Sequence, residues 1–580
     1  MAAFQMSSSP ASPNGADTHR QLQQRRPATG SERNVDRKDL HSSPSSEPKV
    51  ITRWLNICGL FKFDAINLPS SRRLADRLDE GFEQQGRKIS EKRGENQPYE
   101  LRYKLGQIVY WSPDHHYEAN ELSPYRQIAD EEMDTILELS AQEKIPGAGR
   151  FDDIVSECVK AADSNPVTSS LCVQEMANFY RRYSTPPEFV DWQQLQRGIN
   201  VFLAYAPAAA TSLYYRSLIG GFSIPVITAV LYQTRYLAPP SSSEKVRERL
   251  MDTGGFIASC MSPDSADSGD GFHAAASLRP GGKGWEAALR VRALHARVRR
   301  SILNSRSANW DTAKLGVPIN EEDIAATLLA FSINVTLGIE FIAGSCLSET
   351  EQRDYLALWR YLGWLLGVGT EVLVGGKDSS LPPLDPCGGC KITGTTGVEK
   401  GDPICHASST LESIIFHLMA PDDASKRVVA HLLNIGRTPK GERMEGKTKT
   451  VYQTAIRPSD SFAYRYRAFM CRRFLGETLS NELDLFVADE YSLEYGLMLT
   501  LSTIHLMLMR LYTLAAMKIP FVRKKMVNWH AAGMKKFLFG WTTAHGKRMD
   551  KAHSELQMKG NSDPKLASSA CPFSMVMSGE

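Results

Sequence analysis

Apolar residues along this chain recur mainly at intervals of three and four, the spacing that puts them on one side of an α-helix. From Phe151 onward that period dominates. It predicts helices at 151–163, 169–183, 191–216, 223–237, 244–261, 284–304, 321–344, 349–368, 408–419, 424–435, 458–475, 495–517 and 528–550. Alternation with period two is scarce, so the expected fold class is all-α, built around one large helical domain. Start signals sharpen some boundaries. Asn320 precedes Glu321, Glu322 and Asp323, acids placed where a helix N-terminus is partially positive. Ser348 and Glu351 have capping-box spacing, and Tyr355, Leu358, Leu362 and Leu365 follow as one stripe.

Breaks in the pattern divide the chain. Residues 1–49 are rich in Ser, Pro, Arg and Gln with almost no aliphatic side chains, and are expected to be disordered. Residues 50–150 read as an extension packed on the core, 151–517 as the helical domain, and 518–580 as a basic C-terminal helix with a flexible tail. Insertions at 262–283 and 375–407, dominated by polar residues, Gly and Pro, are expected to be exposed loops. The uncharged stretches Ile199–Tyr215 and Ser217–Thr234 meet at Arg216, and a third, Gly496–Met509, contains His505 and stops at Arg510. Pro207, Gly220, Gly221 and Pro225 interrupt the first two and the third is short, so all three read as core helices rather than membrane spans. Residues 518–548 mix Lys and Arg with Phe521, Trp529, Phe537, Leu538, Phe539 and Trp541. They read as a helix packed on the core with a solvated basic side, with peripheral membrane contact as the alternative.

Composition narrows the function. With 42% apolar residues in 580, the chain has ample material for a core. Lys plus Arg (68) nearly balances Asp plus Glu (65), leaving +3, and no zinc-finger spacing or long basic block points to nucleic acid. Ten scattered cysteines do not make a disulfide framework. The opening MAAFQMSSSPASPNG lacks the basic-then-apolar layout of a secretory signal, so the expected location is intracellular, either cytoplasmic or peripherally membrane-associated. The phosphate loop, the H-E-x-x-H zinc motif and the G-x-S-x-G elbow are all absent from the sequence, which disfavours the enzyme classes that use them.

The segment GWEAALRVRALHARVRRSIL, residues 284–303, concentrates the chemistry. Ala287, Val291, Leu294, Val298 and Ile302 form a core-facing stripe with His295 on its flank, about 100° from Leu294. Arg292 and Arg299 lie one turn to either side. A neutral imidazole can bind iron through one ring nitrogen, and guanidinium groups suit paired carboxylates such as haem propionates. By spacing alone, a histidine between arginines is more often a surface or packing residue. Two other constellations compete. Cys387, Cys390, Cys405 and His406 begin like a zinc site, but adjacent residues rarely share one tetrahedral ion. Cys571 before Pro572 sits in a polar tail outside the core.

The stretch RVRALHARVR, residues 290–299, resembles the haem-ligand helix of the family of rubber oxygenase (latex-clearing protein) and the mpaB oxygenases. Four further segments fit that family in order: residues 200–234, 247–257, 316–341 and 355–368. The resemblance covers about residues 190–435, with weaker agreement to about 510. It implies haem b in a globin-like helical core, with His295 of Arg292-Ala-Leu-His295 as iron ligand and Arg292 and Arg299 beside the cofactor. It also implies an Arg and a Thr four apart near the distal side, matched here by Arg249 and Thr253. Rubber-cleaving members carry between them a lysine that can cap the iron. Asp252 stands at that position here, which points away from polyisoprene and towards an open distal side or a carboxylate proton acceptor. The function so implied is a haem b oxygenase or oxidase that uses O2 on an apolar substrate, such as the double bond of a prenyl or terpenoid chain. The competing reading is a non-catalytic haem sensor or carrier, or a haem-free helical scaffold on membranes.

Overall fold

The computed structural model describes residues 100–113, 115–145, 154–234, 237, 243–262, 274–305, 309–369, 384–388, 402–434 and 461–559. The expected disordered segment 1–49 and the tail with Cys571 lie outside these residues. Among the described residues the fold is all-α apart from one hairpin, β1 (Glu100–Lys104) and β2 (Gln107–Trp111), paired antiparallel with Glu100 opposite Trp111. Leu105 (φ 49°) and Gly106 (φ 83°) make its two-residue turn, which needs left-handed backbone at both positions.

The longer helices are α1 (Glu131–Gln142), α2 (Ile154–Asp163), α3 (Leu171–Ser184), α4 (Trp192–Ala204), α5 (Ala206–Ser212), α6 (Pro225–Gln233), α7 (Ser243–Met261) and α8 (Lys283–Asn304). They continue as α9 (Glu321–Phe331), α10 (Ile333–Ala343), α11 (Glu349–Leu366), α12 (Pro403–Leu418), α13 (Asp423–Leu433), α14 (Phe462–Leu475), α15 (Leu493–Lys518) and α16 (Pro520–Lys559). Asn320 caps α9 by accepting from the Asp323 N–H, and Ser348 with Glu351 forms the expected capping box of α11. The closest helix pair is α4 with α11: a Cβ on Gly198 would collide with the Asp354 carbonyl, so the small residue permits the approach. Beside it, Arg197 pairs with Asp354 at 2.9 Å.

Several expectations are corrected. The stretch 191–216 breaks at Tyr205 because Pro207 lacks an N–H and starts a new helix. It then winds into a π-turn over Leu213–Leu218. The stretch 321–344 breaks at Ser332 (φ −98°, ψ −98°), whose hydroxyl donates to the Leu328 carbonyl and competes with the helix ladder. The described parts of the two insertions are largely buried or half-buried, and only Pro280, Gly281 and Lys283 among them are exposed. Ala275 N–H donates to Gln196, Ser277 to the Cys260 carbonyl, and Tyr361 to the Leu278 carbonyl. Leu384 and Cys387 are likewise in the core. Around Arg216 the described residues are buried or half-buried: its Nε donates to Asn334 Oδ1 at 2.6 Å, and the helical run Ala206–Gly221 meets Pro225–Gln233 at a 91° bend. The third uncharged run, in α15, is only half interior: Leu497, Leu501, Ile504 and Leu508 are exposed.

Candidate functional site

Helix α8 crosses the middle of the molecule between α1, α2, α7 and α11. Its start is fixed by small residues and one tryptophan. Gly284 sits against the Cys260 and Ser259 backbone with no room for a Cβ, and Trp285 Nε1 donates to the Tyr183 carbonyl at 3.0 Å. The buried side of α8 is wider than the predicted stripe. Ala287, Leu294 and Ile302 are buried, Val291 and Val298 only partly, and Trp285, Ala288, Leu289, Arg292, Ala296 and Arg299 extend the interior face.

Two charges lie on that face, and α1 neutralises both. Arg292, fully buried, grips Asp130 through Nε (2.6 Å) and Nη2 (2.8 Å), and its Nη2 also reaches Glu132 at 3.0 Å. The guanidinium lies 4.6 Å from the Tyr183 ring centroid and 5.2 Å from that of Phe179. Arg299 donates to Asp134 Oδ1 at 2.7 Å and to the carbonyls of Pro318 and Ile319 at 3.1 Å each. Bidentate geometry makes Arg292–Asp130 a fixed joint, and Arg299 is held by one carboxylate oxygen and two carbonyls. Burial alone would raise the Asp130 carboxyl, but the Arg292 charge and hydrogen bonds outweigh it and hold it below its ordinary range. Asp134 goes the other way, pushed up by burial to about 6 against the pull of Arg299. Nearby, Glu321 accepts from the Gly369 N–H at 2.9 Å, and burial raises its carboxyl to about 8.

His295 sits one turn from each arginine. Enclosure pushes its ring down to about 4, with Arg299 adding to the shift and Asp130 opposing it, so the imidazole is neutral at neutral pH. Its Nδ1 is sealed from solvent and has no hydrogen-bond partner. The residue as a whole is half-buried. Arg292 Nη1, one turn away on the same helix, is also sealed and without a hydrogen-bond partner. A buried polar atom without a partner costs free energy, and a neutral imidazole is the protonation state that binds iron. The residues therefore fit a haem-type iron ligand. Arg292 spends most of its hydrogen-bonding capacity on Asp130 and Glu132, Arg299 divides its own between Asp134 and two backbone carbonyls, and Arg292 Nη1 has no partner.

The distal candidates lie on α7. Asp252 is buried, Arg249 and Thr253 half-buried, and Thr253 Oγ1 donates to the Arg249 carbonyl at 3.3 Å. The end of α7 touches the start of α8, where Cys260 Sγ donates to the Gly284 carbonyl at 3.8 Å. Trp359 is a core aromatic stacked on Phe331 at 5.2 Å, and Arg360 pairs with Asp385 at 2.7 Å.

The competing constellation is dispersed. Cys387 is paired with Ser332 Oγ at 3.4 Å, and burial pushes its thiol up to about 12. His406 Nε2 faces the Asp385 carbonyl at 3.2 Å, and Cys390 lies outside the described residues. Among the described residues no three His, Cys, Asp or Glu side chains come together around a metal position. Residues not anticipated from sequence are Asp130, Glu132 and Asp134. The signal was present: Asp130 is an N-cap before an acidic first turn, followed by Met133, Ile136, Leu137 and Ser140 on one side.

Residues 173–377 match the family model described as ER-bound oxygenase mpaB/B'/Rubber oxygenase, catalytic domain. His295, Arg292, Arg299, Arg249, Asp252 and Thr253 all lie within the matched stretch, whereas the α1 acids precede it. The solved structure of latex clearing protein LCP in the closed state is similar over 75% of this chain and 96% of its own, at 15% identity and a TM-score of 0.43. No curated protein matches the chain.

Proposed function

We propose that the protein is a haem b-dependent oxygenase acting on an apolar, alkene-bearing small molecule such as a prenyl or terpenoid chain, a reading supported by the match of residues 173–377 to the ER-bound oxygenase mpaB/B' and rubber oxygenase catalytic-domain family model. The observation that carries this reading is His295, a neutral imidazole with a sealed, unpartnered Nδ1 inside the family segment. Bound haem supplies the iron at which O2 is activated, chemistry that no side chain here can provide.

The protein's own residues do the rest. His295 holds the iron from α8. Arg292 and Arg299 act first on that helix, clamping it to α1 so that the imidazole keeps one orientation, with Arg292 Nη1 left for an acidic group of the cofactor. Arg249, Asp252 and Thr253 shape the oxygen side from α7, with Asp252 as the candidate proton acceptor. The surrounding apolar core excludes water and orients a greasy substrate. An aspartate at position 252 favours a small apolar substrate over a polymer.

The ultraviolet–visible spectrum before and after dithionite, on protein expressed with ample haem supply, tests this. The expected result is a Soret band with a redox-linked shift that is lost or strongly reduced in His295→Ala and partly restored by added imidazole. No Soret band after haem reconstitution, or a His295→Ala variant with full haem and an unchanged spectrum, overturns the assignment.

A further inference from the structure

Helix α15 buries Met498, Leu506, Met509 and Ala516 against the protein and turns a second apolar row outward. The side packed on α10, α14 and α16 carries Ser502, Thr503, Arg510 and Thr513 in buried positions. Those polar groups have partners. Arg473 donates to Ser502 and Thr503 at 2.8 and 3.0 Å, Arg510 Nε donates to the Ile342 carbonyl at 3.0 Å, and Thr513 donates to the Met509 carbonyl at 2.7 Å. The outward side carries Leu493, Leu497, Leu501, Ile504, Leu508 and Leu511, all exposed, with Leu508 at 58%. Spacings of four, four, three, four and three keep them in one straight ridge, about 27 Å long at helical rise. No charged residue interrupts it from Gly496 to Met509. Scattered exposed leucines are ordinary, but a continuous apolar ridge on a helix whose other side is already packed marks an interaction surface.

What lies at the ridge's end selects the partner. The chain passes through exposed Lys518 and Ile519 into the first turns of α16, where Phe521 and Trp529 are exposed among Lys524 and Lys525. Lysine is depleted from protein–protein interface cores, whereas lysine beside exposed aromatic and aliphatic groups suits the headgroup layer of an anionic bilayer. The other side of α15 is held by the protein core, so the ridge seats in a bilayer surface rather than forming a free-standing span. We propose that the outer ridge of α15, with the basic aromatic start of α16, docks this protein on an anionic lipid membrane. The inference does not depend on the haem assignment.

Flotation of the full-length protein with vesicles of phosphatidylcholine plus phosphatidylserine, and of phosphatidylcholine alone, tests it. The wild type is expected to float with the anionic vesicles and to be released by salt. Leu501→Glu with Leu508→Glu should weaken partitioning roughly tenfold or more, with an unchanged circular dichroism spectrum and thermal midpoint, because both side chains are exposed. Lys524→Gln with Lys525→Gln should weaken it roughly fivefold per lysine, on anionic vesicles only. A wild type that floats with neither vesicle, or variants that float as well as it does, overturns the proposal. Equal flotation on phosphatidylcholine alone overturns the anionic part. A wild-type dimer by light scattering that the leucine variant converts to monomer, without flotation, reassigns the ridge to a second copy of the chain.

Discussion

Helices α8 and α15 break the same rule in opposite directions. α8 takes arginines into the interior, with Arg292 at 0% and Arg299 at 1% exposure, while α15 turns a row of leucines outward. In both, the departure is resolved by what the helix meets. The arginines of α8 are buried because α1 delivers three carboxylates on one turn: Asp130, Glu132 and Asp134. The inner side of α15 mixes Met498, Leu506, Met509 and Ala516 with polar groups that Arg473 and the Ile342 carbonyl satisfy, while its other leucines face out. Periodicity establishes that each segment is a helix, but which side faces inward depends on partners contributed from elsewhere in the chain. Each inversion marks a working surface: α8 holds the candidate iron ligand, and α15 the candidate membrane face.

The sharpest way to break the α8 half of this comparison is to remove a counter-charge. Asp130→Ala leaves a buried guanidinium with only Glu132 beside it, and the expected cost is about 3–5 kcal/mol by denaturant unfolding. Arg292→Met with Asp130→Leu removes the charge and its partner together and should recover most of that loss. Haem loading separates structure from positioning. If the α1 clamp orients His295, the double variant folds yet binds haem more weakly than the wild type. Full haem affinity in a stable double variant would show that His295 needs no clamp.

This asymmetry also explains how much could be read in advance. The helices containing the family segment and His295 were legible because their apolar residues repeat strongly and their caps, such as Asn320 and Ser348, are local. The α1 clamp was missed because DEEMD looks like a solvated acidic turn until Arg292 and Arg299 are seen opposite it, some 160 residues later. The insertions were misjudged for a related reason. Gly and Ser between helices usually mean a loop, but Ala275 and Ser277 are satisfied by Gln196 and the Cys260 carbonyl, contacts with no local signature. Leu501 and Leu508 read as core because apolar residues at helical spacing usually are, and nothing within α15 says which side the protein will cover.

Acidity provides a further test of the buried charges. Glu321 has its carboxyl raised from the ordinary glutamate value to about 8, chiefly by burial. Between those values the folded state holds a proton that the unfolded chain has released, so stability falls as pH rises through that window. Glu321→Gln should remove a slope of up to about 1.4 kcal/mol per pH unit, measured as unfolding free energy from pH 5 to pH 9. His295 works at the other end. With its ring depressed to about 4, it destabilises the fold only as pH drops below the ordinary histidine value, and it stays neutral for iron binding throughout the Glu321 window. A Glu321→Gln variant whose stability still declines at the wild-type rate would place the responsible proton on another group, with Asp323, raised to about 7, the first to examine.

The smallest expected effect discriminates most finely between interior and exterior leucines. Leu337 in α10 is fully buried, and Leu337→Ala should cost about 2–5 kcal/mol through lost burial and the cavity left behind. Leu508→Ala, at a position that reads just as apolar in sequence, should change stability in water by no more than about 0.5 kcal/mol. If the ridge of α15 docks on lipid, that near-neutral result holds only without vesicles. With anionic vesicles present, the wild type gains stability by binding them and Leu508→Ala gains less, because whatever binds only the folded state shifts unfolding by mass action. A Leu508→Ala cost of several kcal/mol in plain buffer would mean that the residue is covered in solution. The contrast between α8 and α15 would then lose its second half, because α15 would be an ordinary buried helix whose cover is protein rather than lipid.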